Sequence, residues 1–403
     1  MSLFYRTGAR GFFLLVAVMV FVVPGTALGQ SVDVHGQVRP RMEVRDPGPD
    51  GGTEHFTSMR LRAAIRATLE GGLSAYGEFQ DVRIFGEESS TLADFQADNI
   101  DLHQGYLQAE LGDGGWFMAR AGRQETILGG QRLIGAVGWT QQGRSFDGMR
   151  LTAKRNRATV DVIAYKLSET DRTTQTFDAE LFGAQGSFDV GASALDLYAF
   201  LNTSSADAET DQGTLGARFH GSSNGWSYRA EASTQMGTRD GQDVNAFMVG
   251  ARLGRSFKEG QTSVTLWWDY LSGDDDPTDG EAGVFDTLFG TNHKFYGLAD
   301  IFLNIPVDTD GRGLHDVSAK GMHRLGGKTA LNVEAHGFWA AESGPLQSSD
   351  WGTEVDVTLR YQYTEQLGLT GGFSQFFAGD GLMEIGRLSE DLTFSYLMVD
   401  LRF

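Results

Sequence analysis

Apolar and polar residues alternate with a period of two along nearly the whole chain. Between residues 32 and 45 the even positions hold Val34, Gly36, Val38, Pro40, Met42 and Val44, and the odd ones His35, Gln37, Arg39, Arg41, Glu43 and Arg45. The next segment sets Met59, Leu61, Ala63 and Ile65 against Arg60, Arg62 and Arg66. A strand sends successive side chains to opposite faces, so each segment reads as a two-faced strand. Comparable segments recur about every twenty residues. They include Leu195, Leu197, Ala199 and Leu201 against Asp196 and Tyr198, and Val355, Val357, Leu359 and Tyr361 against Glu354, Asp356 and Arg360. The chain ends on Leu397, Val399, Leu401 and Phe403, all of one parity.

These runs are about 10–12 residues long, whereas strands in soluble sandwiches usually have about 5–6. A tilted strand of about ten residues crosses the hydrocarbon core of a bilayer. An Arg facing lipid at mid-depth would cost roughly 2–4 kcal/mol. The Arg-bearing faces must therefore line an interior, and the sheet must close, because lipid leaves no partner for an open edge. Seventeen segments read clearly as strands, and residues 178–188 and 295–305 are two further candidates. Barrels of this kind favour even strand numbers. The expected fold is all-β: a closed antiparallel transmembrane β-barrel of 18 strands, with 16 as the fallback. Short turns, such as residues 70–72, 155–157 and 222–225, should alternate with longer outer loops, such as residues 86–100, 129–145 and 272–294.

The first thirty residues fall outside this pattern. Arg6 and Arg10 precede an apolar run over residues 11–23, then Pro24 and Gly25, then the small-residue sequence Ala27-Leu28-Gly29. That order is a secretory signal, too short for a spanning helix. The expectation is a cleaved leader over residues 1–29 and one barrel domain over residues 30–403. Among the 403 residues there are 54 Gly, 7 Pro and no Cys, which suits turn-rich strands and excludes disulfides and Cys-ligated metals. The net charge of −20 argues against nucleic acid as a partner. Most of the acid lies beyond residue 160.

The candidate lumen residues are Arg39, Arg41, Arg60, Arg62, Arg66, Glu78, Arg120, Arg150, Lys154, Arg218, Arg229 and Glu231, all of polar-face parity. Fixed guanidinium groups in a narrow pore attract carboxylates and repel cations, and their planar forks match carboxylates. The same charges could instead brace the wall as cross-strand ion pairs. Arg123 and Arg132, in or beside a long loop, are candidates for a constriction formed by an inward-folded loop. The carboxylates Asp274, Asp276 and Asp279 suit calcium chemically, but they lack the spacing of a calcium loop, and a solvated outer loop is preferred. The eight histidines show no metal-binding spacing, so neither metal nor cofactor is expected. Gly221-Ser-Ser-Asn-Gly225 sits in a turn and not a strand-to-helix elbow, so no enzyme is expected. Trp116, Trp226, Trp267, Trp268 and Trp339 fall near strand ends, as an interfacial girdle requires.

The block Gly122-Arg-Gln-Glu-Thr-Ile-Leu-Gly-Gly-Gln-Arg-Leu-Ile-Gly135, followed by Trp139, Arg144 and Phe146-Asp-Gly-Met-Arg150, resembles the alginate-export family of outer-membrane channels. So does Tyr270-Leu-Ser-Gly-Asp-Asp-Asp-Pro277 with Phe285, Phe289, His293, Tyr296 and Asp300. The resemblance implies a monomeric 18-stranded barrel in the outer membrane of a Gram-negative bacterium. It also implies passage of an anionic polysaccharide, alginate-like, through an arginine-lined constriction. Lipid and lipopolysaccharide would surround it, and Phe403 would be read by the barrel-assembly machinery. The later polar faces carry Asp196, Glu231, Glu334, Glu354 and Asp356. The alternative therefore stays open: a general or uptake porin for small polar solutes, its lumen charges mainly structural.

Overall fold

A computed structural model describes residues 31–48, 51–87, 100–169, 178–205 and 208–403. The expected leader lies outside these residues. The strands are β1 (Ser31–Asp46), β2 (Glu54–Thr68), β3 (Leu73–Ile84), β4 (Asp101–Leu111), β5 (Phe117–Gln124), β6 (Phe146–Arg155), β7 (Ala158–Ser168), β8 (Ala179–Val190) and β9 (Ser193–Ser204). They continue as β10 (Thr210–Ser223), β11 (Trp226–Arg239), β12 (Gln242–Phe257), β13 (Thr262–Leu271), the two-residue β14 (Glu281–Ala282), β15 (Leu314–Arg324), β16 (Thr329–Trp339), β17 (Asp350–Gln362), β18 (Leu367–Ala378) and β19 (Leu392–Arg402). Apart from β14, which lies parallel to β12, each strand pairs antiparallel with its neighbours, and β19 pairs with β1. The result is a closed barrel of 18 strands. Of the two further candidates, residues 178–188 form β8, whereas residues 295–305 are not a strand and lie inside the barrel.

Alternation sets the two faces as the sequence expects. Met42, Leu61, Met149, Leu197, Leu253, Leu266, Val333 and Leu397 are exposed on the outside, where lipid replaces water. Arg39, Arg60, Arg229, Glu231 and Glu354 are buried on the inside. Short turns join the strands at one end. In the turn Asn224-Gly225 both residues take positive φ, 51° and 77°, the two-residue geometry whose twist matches a hairpin. Long connections lie at the other end, where, among the described residues, Asp240-Gly241 between β11 and β12 is a tight turn.

Two long connections fold into the bore. Residues 125–145 and 283–313 pair through Gly135 N–H to the Phe289 carbonyl and Phe289 N–H to the Leu133 carbonyl, both 2.9 Å. Their Leu128, Leu133, Ile134, Phe285, Phe295, Tyr296, Ile301 and Phe302 form an apolar core inside the barrel. Inward side chains at the long-loop ends of the strands complete it: Phe146, Tyr165, Leu181, Phe200, Met248, Leu271, Leu314, Phe338, Trp351 and Phe376. The bore toward the long loops is thus a packed plug, and polar inward residues lie toward the short turns. Trp116, Trp226, Trp268 and Trp339 are exposed at strand ends as a girdle requires. Trp267 is not among them. Its parity turns it inward, where it packs 5.9 Å from the Phe295 ring.

Candidate functional site

A buried stretch without regular structure must find partners for its own backbone groups. The wall provides them. On β1, Arg39 donates from Nη1 to the Gly138 carbonyl (2.8 Å), from Nη2 to the Trp139 (3.2 Å) and Thr140 (2.7 Å) carbonyls, and from Nε to Gln141 Oε1 (3.0 Å). Arg41 donates to the Trp139 carbonyl (2.7 Å), pairs with Glu43 (2.8 Å) and lies 4.0 Å from the Trp139 ring centre. On β2, Arg60 donates to the Gln141 carbonyl (3.2 Å) and Gln37 Oε1 (2.8 Å). Arg62 donates to Glu125 Oε1 (3.0 Å) and Gln80 Oε1 (2.8 Å). Burial pushes the Glu125 carboxyl up, but His103 and Arg62 outweigh it and hold it below the ordinary carboxylate range. Four of the expected lumen cations therefore grip residues 125–145. A nearby stretch of wall is complementary: on β17, reached from β1 through β19 and β18, Glu354 accepts the Ala299 N–H (2.7 Å) and Asp356 the Leu298 N–H (3.2 Å).

A second set of expected residues is paired along the wall. Arg150 meets Asp161 (2.8 Å), and Arg218 meets Asp196. Arg229 lies 3.4 Å from Asp269 and 3.8 Å from Glu231. Glu231 also accepts from Tyr198 OH (3.2 Å), and Glu78 accepts from Tyr76 OH (2.8 Å). Arg132 is fully buried against Asp269 (2.6 Å) and Tyr296 OH (2.6 Å), so it anchors the plug and does not face open water. Arg123 is not in the lumen. Its outward parity, an odd number of positions from both Arg120 and Gln124, turns it to the outer face, where it pairs with Asp147 (2.7 Å).

The remaining inward cations lack a carboxylate partner among the described residues. Arg66 donates to Tyr106 OH (3.0 Å), and its guanidinium lies 4.9 Å from the Tyr76 ring. Arg120 donates twice to the amide oxygen of Gln108 (3.1 and 2.7 Å) and lies over Tyr106. Lys154 is exposed near the short-turn end of β6. Sequence reasoning missed others, among them Arg252 and Lys294. Arg252 lies 5.1 Å from the Trp267 ring, among residues lining a recess at the short-turn end. Lys294 donates to the Gly130 carbonyl (3.1 Å). Desolvation inside the bore, and after it the charges of Arg252, Arg218, Arg229 and Arg132, push Lys294 below the ordinary ammonium range.

A cavity of about 790 Å³ remains between the inward loops and the wall from β16 to β19. Lys294, Arg360 and Arg402 line it with Glu334, Asp356 and Asp400, so the opening is not purely basic. Asp274, Asp276 and Asp279 instead serve their own turn: their carboxylates accept the backbone N–H of Asp276, Thr278 and Glu281. The cluster among the described residues whose atoms are close enough to hold a metal is Glu334, His336 and Asp356, which lie on two adjacent strands. Positions i and i+2 on one strand, completed by the neighbouring strand, have no recognisable linear spacing.

Solved structures of similar shape are outer-membrane barrels. Pseudomonas aeruginosa OpdO superposes with a TM-score of 0.65 at 14% identity, covering 93% of this chain and 98% of that one. Acinetobacter baumannii OccAB4 gives 0.65 at 11%, covering 93% and 98%. The P. aeruginosa outer membrane protein OprD gives 0.63 at 13%, covering 94% and 96%. No curated protein matches the sequence. The profile of the alginate export family matches residues 31–305, which hold both inward loops and the arginines that grip the first of them. On that match, with the closed 18-stranded barrel behind it, this outer-membrane chain belongs to the alginate export family.

Proposed function

We propose that the chain is a passive outer-membrane channel for a carboxylate-bearing solute, an alginate-like polysaccharide or another anion. The observation that carries this is the set Arg66, Arg120, Arg252 and Lys294: inward cations held by neutral partners and not by carboxylates. A guanidinium whose partners are neutral keeps its full charge toward the bore, where the field of a low-dielectric wall attracts anions. Bilayer recordings of the purified protein in a salt gradient test it. Anion-over-cation permeability and block by polyuronate are expected. Weak selectivity and indifference to polyuronate would refute it.

The filled bore and the mixed lining of the remaining cavity favour a second reading, a porin for small polar solutes. Under that reading small sugars and amino acids permeate as freely as uronates. Residues 1–29 are the proposed export leader and Phe403 the proposed assembly signal. No catalytic role is proposed for any residue.

A further inference from the structure

The inner wall of β15, β16 and β17 gathers more negative charge than it neutralises. Four carboxylates, Asp316, Glu334, Glu354 and Asp356, share one neighbouring ammonium in ion-pair contact among the described residues: Lys320, 2.6 Å from Glu334. Asp316, His336, Glu354 and Asp356 are all buried to 3% exposure or less. In the register Glu334 faces Asp356 and His336 faces Glu354, so the alternation that points side chains inward brings them together. Several polar atoms there lack a protein partner: His336 Nε2, Asp356 Oδ1 and Glu354 Oε2.

His336 carries the chemistry. Its Nδ1 meets Asp316 Oδ1 at 2.8 Å, which fixes the ring and turns Nε2 away from that carboxylate. Nε2 stands 3.8 Å from Glu334 Oε2, beyond hydrogen-bond reach. One donor atom each from Glu334, His336 and Asp356 lie within 4.8 Å of one another. Bonds of about 2.0–2.2 Å in a tetrahedral site set ligand atoms roughly 3.3 Å apart, which small side-chain movements reach here. A carboxylate behind the distal nitrogen of a histidine is the usual support for a metal-bound imidazole.

We infer that Glu334, His336 and Asp356 form a site for a divalent transition cation of the zinc class, with Asp316 orienting His336. The nitrogen ligand favours such an ion over calcium or magnesium, which take oxygen. Glu334 and Asp356 also line the large cavity, so the position opposite the three ligands opens to the bore. The bound charge would offset the carboxylates and place a cation on the acidic wall of the channel.

The test uses the full-length barrel in detergent, stripped with a chelator and freed of lipopolysaccharide. Zinc alone, and separately cobalt as a spectroscopic probe, is added and the protein desalted. One zinc per chain is expected, with cobalt showing the intense visible bands of a four-coordinate site. His336→Gln and Asp356→Asn should each remove the stoichiometric ion, and Asp316→Asn should weaken binding about 10- to 100-fold. The heat-modifiable gel shift of each variant reports whether the barrel still folds. Absence of stoichiometric zinc in the wild type would overturn the inference, leaving His336 as an imidazolium brace between Asp316 and Glu334. Zinc retained by folded His336→Gln, or displaced by equimolar calcium, would also overturn it.

Discussion

Arg39 separates two accounts of the basic residues on β1 and β2. If it is a selectivity group, its charge matters and its shape does not. If it is an anchor, the reverse holds, because one planar fork reaches three carbonyls and an amide oxygen over residues 138–141. Arg39→Ala removes all four bonds at a site only 5% exposed. Each hydrogen bond from a charged donor contributes about 1.5–3 kcal/mol net. They do not simply add, since water in the bore re-solvates the released carbonyls. Truncating one side of a buried, charged hydrogen-bonded contact costs about 2–5 kcal/mol. A loss of about 3 kcal/mol shifts the balance between the seated and released loop roughly a hundredfold. The β1–β2 ladder is untouched, so the barrel should keep its gel shift on heating. Single-channel recordings should show larger or more frequent upward current steps. Arg39→Lys keeps the charge but not the fork, and it should behave like Arg39→Ala. Unchanged conductance with lowered anion selectivity in Arg39→Ala, and wild-type behaviour in Arg39→Lys, would refute the anchor.

Other expectations follow from the same geometry. Arg252→Glu, at an inward cation without a carboxylate partner, should lower the anion-to-cation permeability ratio several-fold in a reversal-potential measurement while leaving conductance noise unchanged. Arg132→Met leaves the buried Asp269 carboxylate with only the longer contact to Arg229 (3.4 Å) and should loosen the plug by up to about 3 kcal/mol, seen as faster protease cleavage in residues 283–313; adding Asp269→Asn should restore part of it. At Gly36 an added Cβ would sit 2.4 Å from the Phe403 ring, whose backbone closes β1 onto the chain end. Gly36→Val should therefore displace that ring, cost about 1 kcal/mol, and lower the temperature of the gel shift.

The barrel was legible because the lipid and the bore impose one rule on every strand. Met42 and Arg41, or Leu61 and Arg60, differ by one position and point to opposite solvents. The plug was not legible for a related reason. Residues 295–305 carry the apolar content of a wall strand, yet Phe295, Tyr296, Ile301 and Phe302 satisfy it against other loop residues and inward aromatics. A signal did exist: Phe146, Phe338 and Phe376 stand on polar-face parity at the long-loop ends of their strands, where a water-filled bore has no use for them. Arg123 shows the limit of parity near a loop, since a single step put it outside the barrel beside Asp147.

Counting arginines overstates the charge a solute meets. A guanidinium in this bore has one of three fates, set by its nearest partners. Arg39, Arg41, Arg60 and Arg62 turn toward loop backbone and side chains, and their field falls largely on residues 125–142. Arg150, Arg218 and Arg132 face carboxylates, and each pair is nearly neutral at the distance of a passing ion. Arg66, Arg120 and Arg252 face a phenol, an amide and an indole ring, which orient the charge without cancelling it. Selectivity should therefore follow the third group, a minority of the cations on the polar faces. The acidic wall of β15 to β17 lies across the barrel from Arg120 on β5, whereas β13 alone separates it from Arg252 on β12. For the carboxylate-bearing solute proposed here, these cations would attract and the acidic wall would repel, which guides it without requiring that the whole lumen be basic.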